Sequence, residues 1–170
     1  CNEEHRFIVG DQMRQIDADP LAIILEPSRR NTGPAITIAA MRATEYLKNE
    51  DIDPILLILS SDHYIANKQN FINSIQSSIE LANSDKLIIF GIIPSYPATG
   101  YGYIKSENQL STGSLHASKV EKFIEKPDLK TAQSLFKDKK YSWNSGMFVF
   151  KSSSILNELS KYCLEILENC

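Results

Sequence analysis

Asp62 and His63 follow the aliphatic run Ile55-Leu56-Leu57-Ile58-Leu59 after only Ser60 and Ser61. A hard carboxylate delivered at the end of a buried strand suits a divalent cation such as Mg2+. The competing reading is an aspartate that caps the next turn. His63 is a poorer ligand for a hard ion and reads as a hydrogen-bonding residue. Glu125-Lys126-Pro127 closes a second strand-like run. Such a pair is ordinarily surface decoration, but at the same rim as Asp62 the lysine would hold a phosphate as a point charge. Glu125 would there accept from sugar hydroxyls. Asn144, in Trp143-Asn144-Ser145-Gly146, offers both donor and acceptor, as a hydroxyl-rich ligand requires; by itself the segment is a turn before a buried strand. In Tyr101-Gly102-Tyr103 the glycine serves either a tight backbone or the close approach of a ligand, and the aromatic rings suit packing against a sugar. The loop Arg29 to Pro34 reads as a capped helix entrance. Its helix amides and Asn31 also offer a contact surface for an anion or a polar base.

The elements that must position these groups alternate between helix and strand. Asn2 before Glu3 and Glu4 predicts a helix over residues 3–16, with Phe7, Ile8, Met13 and Ile16 as its apolar face. Leu21 to Leu25 reads as a short strand ended by Glu26-Pro27. A helix is expected from about Pro34 to Lys48, capped by Asn31 or Thr32, with Ile36, Ala39, Ala40, Ala43 and Leu47 at helical spacing. The run at 55–60 shows no alternation, so it reads as a strand buried on both faces in the middle of a parallel sheet. Phe71, Ile75, Ile79 and Ala82 mark another helix, and Lys86 to Ile93 another strand. This order predicts an α/β, Rossmann-like fold with a mainly parallel central sheet flanked by helices. In such sheets ligands bind beyond the C-terminal ends of the strands, where Asp62 would lie. Pro94 and Pro97 then open a β-ribbon insertion. Residues 108–114 are turn-rich, Leu115 to Ile124 reads as a strand, and a short helix carries Ala132, Leu135 and Phe136. An apolar strand from Met147 to Phe150 and a final helix with Ile155, Leu156, Leu159, Cys163 and Ile166 complete the chain.

Composition narrows the function classes. The chain has 170 residues, 42% hydrophobic and 23% charged, with a net charge of −3. That is ordinary for a globular domain, and no basic block points to nucleic acid. Lys137, Lys139 and Lys140 read as a solvated surface. Three cysteines with no CxxC spacing exclude a disulfide framework or a zinc site and fit a reducing, cytoplasmic setting. No apolar run approaches a membrane span. A start at Cys1, directly on a helical pattern, reads as an excised central piece of a longer protein.

Taken together and in order, these segments resemble the nucleotide-sugar pyrophosphorylases (sugar-1-phosphate nucleotidyltransferases). The segments are Cys1 to Phe7, Glu26-Pro27, Arg30 to Ile36, Ser61-Asp62-His63, Thr99 to Ile104, Phe123 to Pro127 and Trp143 to Phe148. The Arg-Asn-Thr loop, Tyr-Gly-Tyr and Trp-Asn-Ser-Gly are closest to the family's guanylyl, mannose-type branch. The resemblance implies the nucleotide-diphospho-sugar transferase fold, here a single partial domain with its first βα unit missing. Residues 1–94 would form the nucleotide-binding part and 95–170 the sugar-phosphate-binding part. It implies that Glu26, Arg30, Asn31, Thr32, Gly33 and Pro34 lie along a guanine nucleotide. Asp62 would bind Mg2+. Tyr101, Gly102, Glu125 and Asn144 would hold a mannose ring, and Lys126 its phosphate. The implied partners are GTP and mannose-1-phosphate, with a homo-oligomer compatible. Other nucleotide or sugar specificities, and a non-catalytic binding domain on the same fold, are the alternatives. Gly33 stands where the family usually has alanine, and Ala98 where it often has glutamate. The family's Gly-rich triphosphate loop and second metal-binding aspartate fall outside these residues, so the 170 residues alone are expected to have little transferase activity.

Overall fold

A computed structural model describes residues 1–28, 30–110 and 117–170. It divides into two compact units, one formed by Cys1–Pro54 with Ser152–Cys170, the other by Ile55–Lys151.

In the first unit, the Asn2 side chain accepts from Glu4 N, opening a 3-10 turn at Glu3–His5 that runs into helix α1, Arg6–Gln15. The apolar face expected on this helix is left in solvent: Phe7 is 72% exposed and Ile16 69%. Leu21 to Leu25 form no strand. Their continuation pairs only at a parallel bridge between Asn2 and Glu26; a strand needs a ladder along its length, and Cys1 to Glu3 is the only partner among the described residues. Helix α2, Thr32–Leu47, packs against α5, Ser152–Tyr162, and α6, Leu164–Glu168. Its fully buried residues are Thr37 and Ala40, small enough for close helix contact. The Thr37 hydroxyl returns to Gly33 O at 2.9 Å. Asp53 caps α5, accepting from the backbone N and hydroxyl of Ser153.

The second unit is a five-stranded sheet with helices. Its strands are β1, Ile55–Ile58; β2, Ile88–Ile92; β3, Tyr103–Ser106; β4, Val120–Ile124; and β5, Tyr141–Lys151. The α/β expectation holds, but the mainly parallel sheet does not, since every ladder among the described residues is antiparallel. The cause is β5. Phe148 and Val149 pair with β1 on one edge and with β2 on the other. The crossover through α3, Lys68–Asn83, does turn β1 and β2 the same way. An eleven-residue strand lies between them. Further along, Trp143 pairs with Ile92 and with Tyr103.

Burial on both faces is corrected with it. Strand β1 is half-buried, with Leu57 39% exposed, and Leu59 just after it is 49% exposed. The expected strand at 115–124 begins at Val120; residues 111–116, like Arg29, lie outside the described residues.

α3 packs on β1, β2 and β5. α4, Leu129–Lys137, supplies Ala132 and Leu135 to a core with Ala98, Tyr103 and Trp143. Ala98 is buried and its carbonyl accepts from the Tyr103 hydroxyl at 2.8 Å. Asp128 caps α4 by accepting from Thr131 N at 2.7 Å, and this backbone hydrogen bond lowers its pKa. The folded value therefore lies below the unfolded one, about 3.9. The resulting stability is fully present above about pH 4 and is lost as pH falls through the lowered folded value. Asp128→Asn keeps a good cap without titrating there. Thermal melts at pH 7 and pH 3 should show a smaller acid loss for the variant; equal losses would mean that this cap contributes nothing to acid sensitivity.

Candidate active site

The residues expected to contact ligand fall into two sets, one in each unit. In the first unit, Glu26 sits in the parallel bridge, its N donating to Cys1 O at 2.8 Å and its O accepting from Glu3 N at 3.1 Å. The expected side-chain cap on α2 is absent. Asn31 occupies the cap position at φ 63°, outside the extended backbone usual for a capping residue, and makes no side-chain bond to the helix. Pro34 has no amide proton, so the open donors of the first turn are those of Thr32 and Gly33. Arg30 is exposed and its Nε donates to Ser28 Oγ at 3.4 Å. A Cβ at Gly33 would meet Ile166 Cδ1 at 3.6 Å. That is an ordinary contact, so alanine would fit as readily as glycine.

In the second unit, three strands bring Gly102, Glu125 and Asn144 together. Tyr103 is paired with Ile124 on one side and Trp143 on the other, so the neighbouring positions meet at the sheet's end. Asn144 N donates to Gly102 O at 2.8 Å. A Cβ on buried Gly102 would lie 2.6 Å from Phe123 Cζ and 2.9 Å from Glu125 Oε2. A side chain here would push aside the ends of Phe123 and Glu125, so glycine leaves that carboxylate where it stands. Lys126 extends from the same corner, its Nζ 3.4 Å from Glu125 Oε1. Its φ of 40° places a non-glycine residue in the left-handed region, a strained backbone of the kind that clusters at ligand sites. Asn144 Oδ1 accepts from Gly146 N at 3.1 Å, and Gly146, at φ 71°, lies beside Ser60. The loop that follows β1 and carries Asp62 therefore starts next to this part of β5, and the turn expected at 143–146 is strand instead.

Asp62 itself is open, its side chain 87% exposed and Oδ1 4.0 Å from His63 Nε2. No hydrogen bond among the described residues ends on its carboxylate, so the turn-cap alternative finds no support. No three His, Cys, Asp or Glu side chains gather among the described residues. A lone open carboxylate is nevertheless the donor set that fits Mg2+, which keeps its waters and takes one or two protein carboxylates alongside substrate phosphates.

A family model described as Nucleotidyl transferase matches residues 1–170. The chain belongs to the nucleotidyl transferase family. Among curated relatives, it is 44% identical to the mannose-1-phosphate guanylyltransferase of Escherichia coli (strain K12), covering 100% of this chain and 35% of the relative. It is 46% identical to the xanthan biosynthesis protein XanB of Xanthomonas campestris pv. campestris, covering 100% and 34%. The nucleotidyl transferase chain thus spans about a third of the length of these relatives. Among solved structures, it is similar to mannose-6-phosphate isomerase from Helicobacter pylori, with TM-score 0.84, 34% identity, and 100% and 61% of the two chains covered. It is also similar to mannose-1-phosphate geranyltransferase from Thermus thermophilus, with TM-score 0.76, 25% identity, and 93% and 44% covered.

Sequence reasoning named Asn144 but passed over its neighbour Trp143 and missed Tyr96 and Phe123. Phe123 is 46% exposed although it covers Gly102. Its position near the end of β4, two residues before Glu125, was the available signal.

Proposed function

We propose that this chain is part of a mannose-1-phosphate guanylyltransferase, which transfers GMP from GTP to mannose-1-phosphate and releases pyrophosphate. The observation that carries the reading is the junction of Gly102, Glu125 and Asn144 beside Lys126, in a chain 44% identical to a protein of that name. Glu125 accepts from the sugar hydroxyls, and Asn144 presents its amide to them. Gly102 leaves the room that the Glu125 carboxylate needs, and Tyr101 supplies an apolar surface. Lys126 holds the sugar phosphate. Glu26, Arg30, Asn31 and the amides of Thr32 and Gly33, with Pro34, line the nucleotide.

Asp62 would hold Mg2+, whose charge neutralises the triphosphate oxygens when bound. The sugar-phosphate oxygen attacks the α-phosphorus of GTP. One phosphorus–oxygen bond forms as the bond to the pyrophosphate oxygen breaks. No general base is required, because a phosphate monoester with a second pKa of about 6 is already largely dianionic at neutral pH. Lys126 and the fixed polar groups act by alignment and charge neutralisation. The setting is cytoplasmic and the product a nucleotide sugar for polysaccharide synthesis. The described structure contains no helix long and apolar enough to cross a membrane.

The test is nucleotide choice. The full-length gene product, given mannose-1-phosphate, Mg2+ and one of GTP, UTP, dTTP or ATP, should form GDP-mannose with kcat/KM for GTP at least about tenfold above the others. A preference for UTP or dTTP would sink the guanylyl assignment. Absence of any nucleotide sugar would sink the enzyme.

A further inference from the structure

Tyr101 is flanked by two glycines, Gly100 and Gly102. A Cβ at Gly100 would meet nothing within 4 Å. Neighbouring backbone therefore does little to fix the Tyr101 ring, which is 46% exposed. What it does touch is aromatic. Its ring centroid lies 5.1 Å from that of Trp143, tilted by 58°. On the same indole, Tyr96 packs edge-on at 4.9 Å and 67°. Both are distances and tilts that aromatic pairs favour. The proximity of Tyr101 raises the Tyr96 pKa.

The support behind these rings is rigid. Trp143 is buried in the core with Ala98, Tyr103, Ala132 and Leu135. Its Nε1 is buried without a hydrogen-bond partner among the described residues, so the indole is placed for its ring faces and edges. The loop carrying Tyr96 is pinned twice. Ala98 N donates to Tyr96 O at 3.0 Å, and Ala98 O accepts from the buried Tyr103 hydroxyl at 2.8 Å.

We propose that Tyr96, together with Trp143, is a positioning residue that holds the Tyr101 ring against the Gly102–Glu125–Asn144 corner and so sets affinity for the sugar phosphate. This rests on the reading of that corner as the sugar-phosphate site. Tyr96 reaches the ligand only through Tyr101, so its removal weakens sugar-phosphate binding and leaves the nucleotide and the chemical step alone.

The test compares Tyr96→Phe and Tyr96→Ala with the wild-type full-length gene product. Tyr96 is 51% exposed, so neither change empties the core. Tyr96→Phe, which keeps the ring on the indole, should leave KM for mannose-1-phosphate within about twofold. Tyr96→Ala, which removes the edge-on ring, should raise that KM about three- to tenfold, the range one aromatic pair covers. The values of kcat and of KM for GTP should stay within about twofold in both. Acrylamide quenching of Trp143, the one tryptophan of the sequence, should increase in Tyr96→Ala and stay unchanged in Tyr96→Phe. An unchanged sugar-phosphate KM in Tyr96→Ala overturns the proposal. If the wild type forms no GDP-mannose, the guanylyltransferase reading falls and the quenching alone decides: increased quenching in Tyr96→Ala supports the positioning role, and unchanged quenching in that variant overturns it.

Discussion

Asp62→Asn in the full-length gene product should lower kcat/KM for GDP-mannose formation by about 10²-fold or more, the scale on which removal of one charge-stabilising group acts. The response to added Mg2+ should flatten with it. Asparagine keeps the shape and one oxygen of the carboxylate but not its charge, so the variant isolates the charge. The structure makes the experiment clean. The Asp62 side chain is 87% exposed, and its carboxylate stands 4.0 Å from His63 Nε2. A residue so placed contributes little to folding, and surface substitutions of this kind usually stay within about 0.5 kcal/mol. The melting temperature should therefore be unchanged while activity collapses. A turn cap would give the reverse, lost stability with activity retained. Full activity with an unaltered Mg2+ response would remove Asp62 from the site.

This separation of exposure from importance explains what was readable in the sequence. The places of Asp62 and Lys126 just past strands were legible because each follows an apolar run; Asn144, expected in a turn before a strand, lies inside β5. Helices α1, α3, α4 and α5 were legible through apolar spacing, and the start of the first through the cap of Asn2, which bonds as its type dictates; the Asp128 cap of α4 was passed over. Strand pairing was not. The aliphatic run at Ile55 looked like the interior of a parallel sheet because continuous apolar runs are typical there. Nothing local to it reveals that Phe148 and Val149, some ninety residues onward, come between it and β2. Leu21 to Leu25 failed for the same reason, since propensity proposes a strand and only a partner makes one. Asn31 failed as a side-chain cap because asparagine suits both a cap and a positive φ, and here it takes φ 63° with no side-chain bond to the helix. Tyr96 went unnoticed because its significance is a ring 4.9 Å away across the sheet rather than a neighbour in sequence.

If β5 is the strand on which the second unit depends, its core should be the costliest place to cut. Phe150 is 1% exposed, pairs with Leu56 of β1, and has its ring centroid 6.3 Å from that of Phe148. Replacing a buried phenylalanine by alanine loses the transfer free energy of the ring and leaves a cavity, together about 3–5 kcal/mol. Against a typical domain stability of about 5–15 kcal/mol that is a large share. Phe150→Ala should therefore lower the urea midpoint sharply with little change in the slope of the transition. Two controls separate burial from pairing. Phe150→Leu keeps most of the volume and should cost less than about 1.5 kcal/mol with modest repacking. Leu57→Ala lies in the adjoining strand at a 39% exposed position, so it opens a smaller void and should cost well under half of the phenylalanine loss. The same strand carries Trp143 and Asn144, each in register with its neighbours. Loosening it at Phe150 should therefore also raise KM for mannose-1-phosphate near the unfolding midpoint, before secondary structure is lost. A Phe150→Ala variant no less stable than Leu57→Ala would show that β5 is not the central support this sheet makes it.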